Sequence, residues 1–156
     1  MKLEELISKF AANAGLERVA ATEGVWRFSA DGNIFGVTQD DAGENVFLFG
    51  EIRASDPAKR DALIKSAMEA NYFHRGTGGG TFALNPGNGE LTLFESKRLE
   101  GLGEEAFYSF VERFVNALAT WNGISGLAQT ADSAPETSET FENPIGIGIG
   151  GGFMQV

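Results

Sequence analysis

The residues best suited to chemistry are the one histidine, His74, and the glycine-rich run Gly76–Thr81 that follows it. Glycine loops bind phosphate when a Lys-Ser or Lys-Thr pair opens the next helix, because the lysine and the helix N-terminus both meet the anion. In this chain the predicted helix precedes the glycines and a predicted strand follows them. The run is therefore interpreted as a place where the backbone turns freely, not as a nucleotide-binding loop.

No catalytic partner is predicted for His74. A general base needs a nucleophile or an orienting group within reach, and the neighbouring Arg75 disfavours a charged imidazole. The chain has no cysteine, which excludes disulfides, thiolate metal sites and cysteine nucleophiles. The acidic pairs Asp40–Asp41 and Glu104–Glu105 are sequence neighbours, whose side chains diverge on a strand or a helix. The sequence thus predicts no enzyme active site, no metal and no cofactor.

Composition predicts one acidic globular domain. The 156 residues are 42% hydrophobic, and 13 of them are Phe, which favours apolar surfaces over hydrogen-bonded ones. The formal net charge of −10 opposes binding to nucleic acid or to an anionic membrane. No apolar run approaches the roughly 20 residues of a membrane span, and residues 1–10 lack the apolar core of a signal peptide. The lack of cysteine fits a reducing cytoplasm.

Hydrophobic periodicity and turn residues divide the chain into elements. Val46–Ile52 is apolar on both faces, which predicts a central strand whose second cover is another part of the chain or a partner. The first helix carries an apolar stripe that either packs in the core or meets a partner. The predicted elements are a helix over Lys2–Ala14, strands over Val25–Ala30, Ile34–Gln39 and Val46–Ile52, a helix from Ser55 or Asp56 to about Tyr72, strands over Thr81–Leu84 and Leu91–Phe94, a linker over Lys97–Gly103, and a helix over Glu104–Trp121.

The composition changes after Ile124. Residues 125–156 contain four carboxylates and no Lys or Arg, and they are rich in Ser, Thr and Gly. This composition predicts a flexible acidic tail that follows a domain over residues 1–124. Within the tail, the alternation Ile145–Gly150 is interpreted either as a loose end or as a strand-like segment that docks on this protein or another.

An ordered set of short motifs resembles the class I type III secretion chaperones, the CesT/Tir-chaperone family, over residues 1–124. None of the motifs is decisive alone, and the tail is longer than the family pattern requires. The set comprises Gly50-Glu51-Ile52 before Pro57, Ala70–Phe73 before Thr77–Thr81, Leu84-Asn85-Pro86 before Gly89 and Leu91–Leu93, and Phe107, Phe110–Glu112 and Phe114–Ala117 before Trp121.

The resemblance implies an α+β fold in the order α-β-β-β-α-β-β-α, with an antiparallel twisted sheet, helices packed on it, and a homodimer. It implies a bacterial cytoplasmic chaperone that holds the N-terminal segment of a secreted virulence effector in extended form, soluble and competent for secretion. The secretion ATPase is a further candidate partner, whereas nucleic acid and membrane are not expected to bind.

The resemblance also assigns residues, each of which could instead be core. The dimer-interface candidates are Leu63, Met68, Phe82, Leu84, Leu91 and Leu93. The effector-binding candidates are Leu6, Phe10, Trp26, Phe28, Phe35, Val37, Phe47 and Phe49.

The expected mechanism is β-augmentation, in which an effector strand pairs with the free edge of Val25–Ala30 if that strand is outermost, and its side chains enter Phe-lined hollows. Two alternatives stay open. One is a small ligand-binding or enzymatic α+β domain, and the other is a dimeric regulatory protein that caps a partner's hydrophobic surface.

Overall fold

The structure, a computed structural model, describes residues 2–16, 20–127 and 153–155. The predicted order of elements α-β-β-β-α-β-β-α is confirmed, and one short strand follows it. The elements are α1 (Leu3–Asn13), β1 (Trp26–Ala30), β2 (Asn33–Gln39), β3 (Asn45–Ile52), a 3₁₀ turn (Pro57–Lys59), α2 (Arg60–Ala70), a second 3₁₀ turn (Tyr72–His74), β4 (Thr81–Leu84), β5 (Leu91–Arg98), α3 (Glu104–Leu127) and β6 (Phe153–Gln155).

All strands pair antiparallel in a single sheet, in the order β4-β5-β3-β2-β1-β6. β3 lies between β2 and β5, so the predicted central position of Val46–Ile52 is confirmed. The β1–β2 hairpin turns at Asp31 and Gly32, whose φ angles of 48° and 81° are those of a type I′ turn. β1 is not outermost, because Phe28–Ala30 pair with β6. The expectation of a free edge at Val25–Ala30 therefore needs correction over these three residues.

The helices α1 and α3 form the core with one face of the sheet. Apolar residues recur every three or four positions on both helices, so each buries one stripe. Phe10 of α1 marks the meeting point, because its ring lies 5.4 Å from that of Phe28 and 6.2 Å from that of Phe107, both edge-on. Gly50 of β3 leaves room for Leu118 of α3, since a Cβ there would lie 2.7 Å from Leu118 Cδ1.

The turn between β2 and β3 is organised by Asp40. Its carboxylate accepts hydrogen bonds from Asn45 Nδ2 at 2.7 Å and from the Glu44 backbone N–H at 2.8 Å. The side-chain hydrogen bond from Asn45 is the main reason that the pKa of Asp40 is lowered. Asp40 and Asp41 therefore serve a turn and a solvated surface.

Several element boundaries differ from the predicted ones for local reasons. β5 continues to Arg98 where a linker was predicted, because β3 pairs with it along its whole length and Glu95 forms an ion pair with Arg113 of α3. The second helix begins as a 3₁₀ turn, in which Asp56 accepts a hydrogen bond from the Ala58 backbone N–H.

The tail prediction falls almost wholly outside the described residues. Residues 125–127 end α3 and Phe153–Gln155 form β6, whereas Ile145–Gly150 lie outside the described part. Of the helices that the structure describes, none has the length and apolar character needed to cross a membrane.

Candidate interaction surfaces

The structure gives His74 a structural role in a turn. Its Nδ1 lies 2.7 Å from the carbonyl oxygen of Gly80, across the glycine-rich loop. Over residues 2–16 and 20–127, no three His, Asp or Glu side chains converge as metal ligands. Burial raises the pKa of Tyr108, with a smaller contribution from the Glu112 charge, but Tyr108 is half-buried and packs against Phe10 at the margin of the core. The described residues therefore offer surfaces for binding more readily than groups for catalysis.

The outer face of the sheet is the side turned away from the core. The register places Arg27, Gly36, Phe49 and Phe94 in one row across β1, β2, β3 and β5 on this face. The neighbouring rows on the core face carry Phe28, Phe35 and Leu48, which are at most 1% exposed, whereas Phe47, Phe49 and Phe94 stay half-buried. The sheet thus carries large aromatic side chains on both faces but buries only one set completely.

A depression of about 540 Å³, here called the outer groove, opens on this face. The Phe49 ring forms its floor by lying over Gly36, where a Cβ would come within 2.4 Å of Phe49 Cζ. Ile34 is 55% exposed beside it. Charged side chains stand around this apolar floor, and the groove is lined in part by Arg27, Asp31, Ile34, Gly36, Phe49, Glu51 and Arg53.

A second depression, of about 670 Å³, lies at the start of α1 beside the β2–β3 turn and the end of β5. Most of its walls are polar or charged, including Lys2, Glu44, Arg98 and Glu100. It lacks the aromatic floor of the outer groove. Although larger, it is therefore a poorer site for apolar side chains.

Exposed apolar side chains occur on α2, on the second 3₁₀ turn and on β4, the strand at the edge of the sheet away from β1. They are here called the α2–β4 patch. Its members Met68, Tyr72, Phe73 and Leu84 are 43%, 65%, 73% and 46% exposed. The rings of Tyr72 and Phe73 lie 4.5 Å apart, and the Arg75 guanidinium lies within 6 Å of both. Large exposed apolar residues in one cluster mark an interaction surface more strongly than scattered ones.

The backbone that carries the α2–β4 patch is strained and firmly held. Phe73 and His74 both have φ near 53°, in the left-handed region that side chains disfavour. The Asn71 side chain donates to the Phe82 carbonyl at 3.0 Å and accepts from the Phe82 N–H at 2.7 Å. Trp121 Nε1 donates to the Gly76 carbonyl at 2.9 Å. These bonds fix the turn so that Tyr72 and Phe73 point away from the core.

The structure divides the predicted effector-binding residues into two groups. Phe47 and Phe49 lie half-buried on the outer face. The others are between 0% and 9% exposed and lie in the core of the described chain, so a partner would reach them only if other side chains moved: Leu6, Phe10, Trp26, Phe28, Phe35 and Val37.

The predicted dimer-interface residues divide in the same way. Met68 and Leu84 belong to the α2–β4 patch, whereas the remaining four are at most 9% exposed: Leu63, Phe82, Leu91 and Leu93.

Sequence reasoning did not name Ile34, Tyr72 and Phe73 as binding residues, nor Gly36, which is buried under the Phe49 ring. A glycine within a strand signals close approach of another group, and here that group is the Phe49 ring. Two adjacent aromatics at a predicted helix end, in Tyr72-Phe73, could likewise have indicated exposure. The left-handed backbone that turns them outward has no signature in the sequence.

Comparisons with known proteins agree with this architecture. The model of the Tir chaperone protein (CesT) family matches residues 5–122. No curated protein sequence is significantly similar to the chain.

Solved structures share the fold at low identity. The structure of the HopA1–SchA chaperone–effector complex superposes with a TM-score of 0.60 at 15% identity, covering 77% of this chain and 92% of that one. The ExsC–ExsE complex gives 0.61 at 16% identity, covering 80% and 96%. The ExoT–SpcS complex from Pseudomonas aeruginosa gives 0.57 at 16% identity, covering 74% and 93%. The family match spans most of the chain, which therefore belongs to the Tir chaperone protein (CesT) family.

Proposed function

We propose that this chaperone holds an extended segment of a secreted effector in the outer groove, and that it does so as a homodimer in the bacterial cytoplasm. Family membership identifies the chain as a type III secretion chaperone and not an enzyme. One similar fold was solved in a chaperone–effector complex, and another is that of the type III secretion chaperone SycH in complex with a stable fragment of YscM2, which supports an effector as the partner.

One observation supports the outer groove as the effector-binding surface. The half-buried Phe49 ring lies over Gly36 and forms an apolar floor in this groove. An apolar floor with charged walls suits an extended chain that inserts a side chain and stays hydrated on either side. Each Leu- or Ile-sized side chain that becomes fully buried contributes roughly 1.5–3 kcal/mol. Ordering the segment costs on the order of 1–2 kcal/mol per residue. Several anchors along a long segment are therefore required.

The α2–β4 patch suits a different partner, a second copy of the chain. Its side chains project outward from a rigid turn, and equivalent residues of two copies can pack on each other about a twofold axis. Met68 and Leu84 would lie at this contact, as the sequence predicted, together with Tyr72 and Phe73. The buried Leu63, Phe82, Leu91 and Leu93 would support the contact from below.

Co-expression tests the proposal. The chain would be produced with candidate effectors encoded in its genomic neighbourhood, and the purified complex would be probed by limited proteolysis. We expect a dimer that carries a protected effector segment while the rest of the effector is cleaved. A monomer, or a dimer that protects no segment, would contradict the proposal. A folded, fully protected partner would instead favour a regulatory protein that caps a hydrophobic surface.

A further inference from the structure

The edge of β1, where an added strand would pair, is occupied by the end of the same chain. β6 lies antiparallel to β1, with Phe28 opposite Gln155, Ser29 opposite Met154 and Ala30 opposite Phe153. β6 is the outermost strand, and it is separated from α3 by the whole of residues 128–152. Those residues could span at most about 80–90 Å if fully extended, which is ample for a strand to reach its own β1.

The pairing rule of antiparallel strands identifies which backbone groups are involved. The two-residue turn at Asp31-Gly32 makes Ala30 and Asn33 a hydrogen-bonded pair, and such pairs alternate along the strands. Phe28 therefore bonds to β2, whereas Ser29 directs its N–H and C=O toward β6. In β6, Met154 directs its backbone N–H and C=O toward Ser29. Gln155, the next residue, directs its N–H away from β1.

We propose that Phe153–Gln155 is a built-in occupant of the strand-binding edge of β1, which an effector strand must displace. The inference rests on the proposed function for its biological role. It specifies the ligand class at this edge as a short extended segment that runs antiparallel to β1 and exchanges a backbone hydrogen-bonded pair with Ser29.

Because residues 128–152 connect β6 to the rest of the chain, β6 can compete for the edge of β1 even if its own affinity is low. Flexible linkers of moderate length give effective concentrations in the millimolar range. A strand that is docked most of the time at such a concentration has an affinity better than about millimolar when added as a free peptide. If β6 is docked about 90% of the time, an effector strand that needs the same edge binds about tenfold more weakly, because only the open fraction accepts it.

Two proline variants of the full chain separate docking from side-chain effects. Met154→Pro removes the N–H that faces Ser29, whereas Gln155→Pro removes an N–H that points outward and serves as the matched control. We expect the Ser29 amide to exchange with solvent about tenfold faster in Met154→Pro than in the native chain, and unchanged in Gln155→Pro. The Phe28 amide, bonded to β2, is the internal reference. Equal Ser29 exchange in all three proteins would overturn the proposal.

A peptide with the sequence of residues 150–156, GGGFMQV, tests the edge without any effector. At millimolar concentration it should shift the Ser29 amide resonance of Met154→Pro and leave that of the native chain in place. No shift in the variant, or the same shift in both proteins, would overturn the proposal.

The captured effector segment then tests displacement. It should bind Met154→Pro about tenfold more tightly than it binds the native chain or Gln155→Pro. Equal affinity for all three would refute displacement while leaving the proposed function intact. If no effector segment is captured, the proposed function fails, and the exchange and peptide measurements still decide whether β6 occupies the edge.

Discussion

The outer groove and the α2–β4 patch are both apolar surfaces, but they differ in shape and in the exposure of their side chains. In the groove, the Phe49 ring lies over Gly36 and stays half-buried between charged walls. In the patch, Tyr72 and Phe73 project outward with exposures of 65% and 73% from a strained turn. The groove is concave, so a partner can insert single side chains against its floor. The patch projects outward, so several of its side chains can contact a partner at once.

This difference indicates two kinds of partner. A concave strip on the face of the sheet fits a segment without fixed structure, because such a segment adapts its backbone to the surface. A projecting cluster on a fixed turn fits another rigid surface, and a second copy supplies one by symmetry. The two surfaces should therefore be separable by mutation, with the dimer depending on the patch and effector binding depending on the groove.

The largest expected effect is on the dimer. Replacing both Tyr72 and Phe73 by Ser removes two aromatic side chains from each copy, each contributing roughly 1.5–3 kcal/mol when buried. A loss of about 3 kcal/mol or more weakens dimerisation at least about 100-fold, which sedimentation analysis at micromolar concentration would detect. Ile34→Ser, an exposed apolar change in the groove, is the control and should leave the dimer intact. If the double variant dimerises as tightly as the native chain, the patch is not the dimer contact.

The next effect is on effector binding. Phe49→Asp places a charge on the groove floor, and we expect the affinity for the captured effector segment to fall at least about tenfold, as measured by calorimetry. Circular dichroism should show an intact fold, since Phe49 is only half-buried. The comparison variant Phe35→Asp buries its charge at a position that is 1% exposed and should unfold the protein. If Phe49→Asp binds the effector segment as tightly as the native chain does, the groove is not the effector-binding site.

A moderate effect is expected from Asn71→Ala, which tests how the patch is held. The change leaves the N–H and C=O of Phe82 without their side-chain partner, at a cost of about 1–3 kcal/mol. The melting temperature should fall by about 3–10 °C, and dimerisation should weaken with it. Asn88→Ala removes two exposed hydrogen bonds, one donated to Glu51 and one accepted from the Glu90 backbone N–H, and because water can replace both, it should change the melting temperature by less than half as much. Equal shifts for both variants would show that Asn71 has no special role.

The smallest effect is expected from Gly36→Ala. The new Cβ would meet the Phe49 ring, which must swing outward, so the groove changes shape while the core face of β2 stays as it is. We expect effector affinity to fall about three- to tenfold with a change in unfolding free energy below about 1 kcal/mol. Gly103→Ala, where a Cβ meets nothing within 4 Å, is the matched control. Unchanged affinity in Gly36→Ala would mean that the ring position does not matter for binding.

Much of the fold follows from local patterns in the sequence. The Asp31-Gly32 turn between two alternating strands predicted the first hairpin, and the wide apolar stripe from Phe107 to Trp121 predicted α3. Both depend on short-range chemistry, namely positive φ at the turn and the 3.6-residue helical period. The strand pairing of β5 beyond Phe94 was missed because β3, which is distant in sequence, provides its partner.

The candidate surfaces were less predictable, because a two-residue period marks two faces of a strand without saying which one is covered. In β3 the smaller Val46 and Leu48 are fully buried, whereas the larger Phe47 and Phe49 remain half-buried. Gly50 lies on the covered face because it leaves room for Leu118 of α3, and this contact joins segments that are distant in the sequence. Three residues of β6 are likewise too few to signal a strand, and their pairing depends wholly on β1.

Site-specific photo-crosslinking tests most directly whether the groove binds the effector and the patch forms the dimer. A photoreactive amino acid would be placed at Ile34 in the groove or at Leu84 in the patch, within the purified effector complex. The account predicts that position 34 crosslinks to the effector segment and position 84 to a second copy of the chain. Crosslinks from position 34 to a second copy, or from position 84 to the effector segment alone, would contradict it.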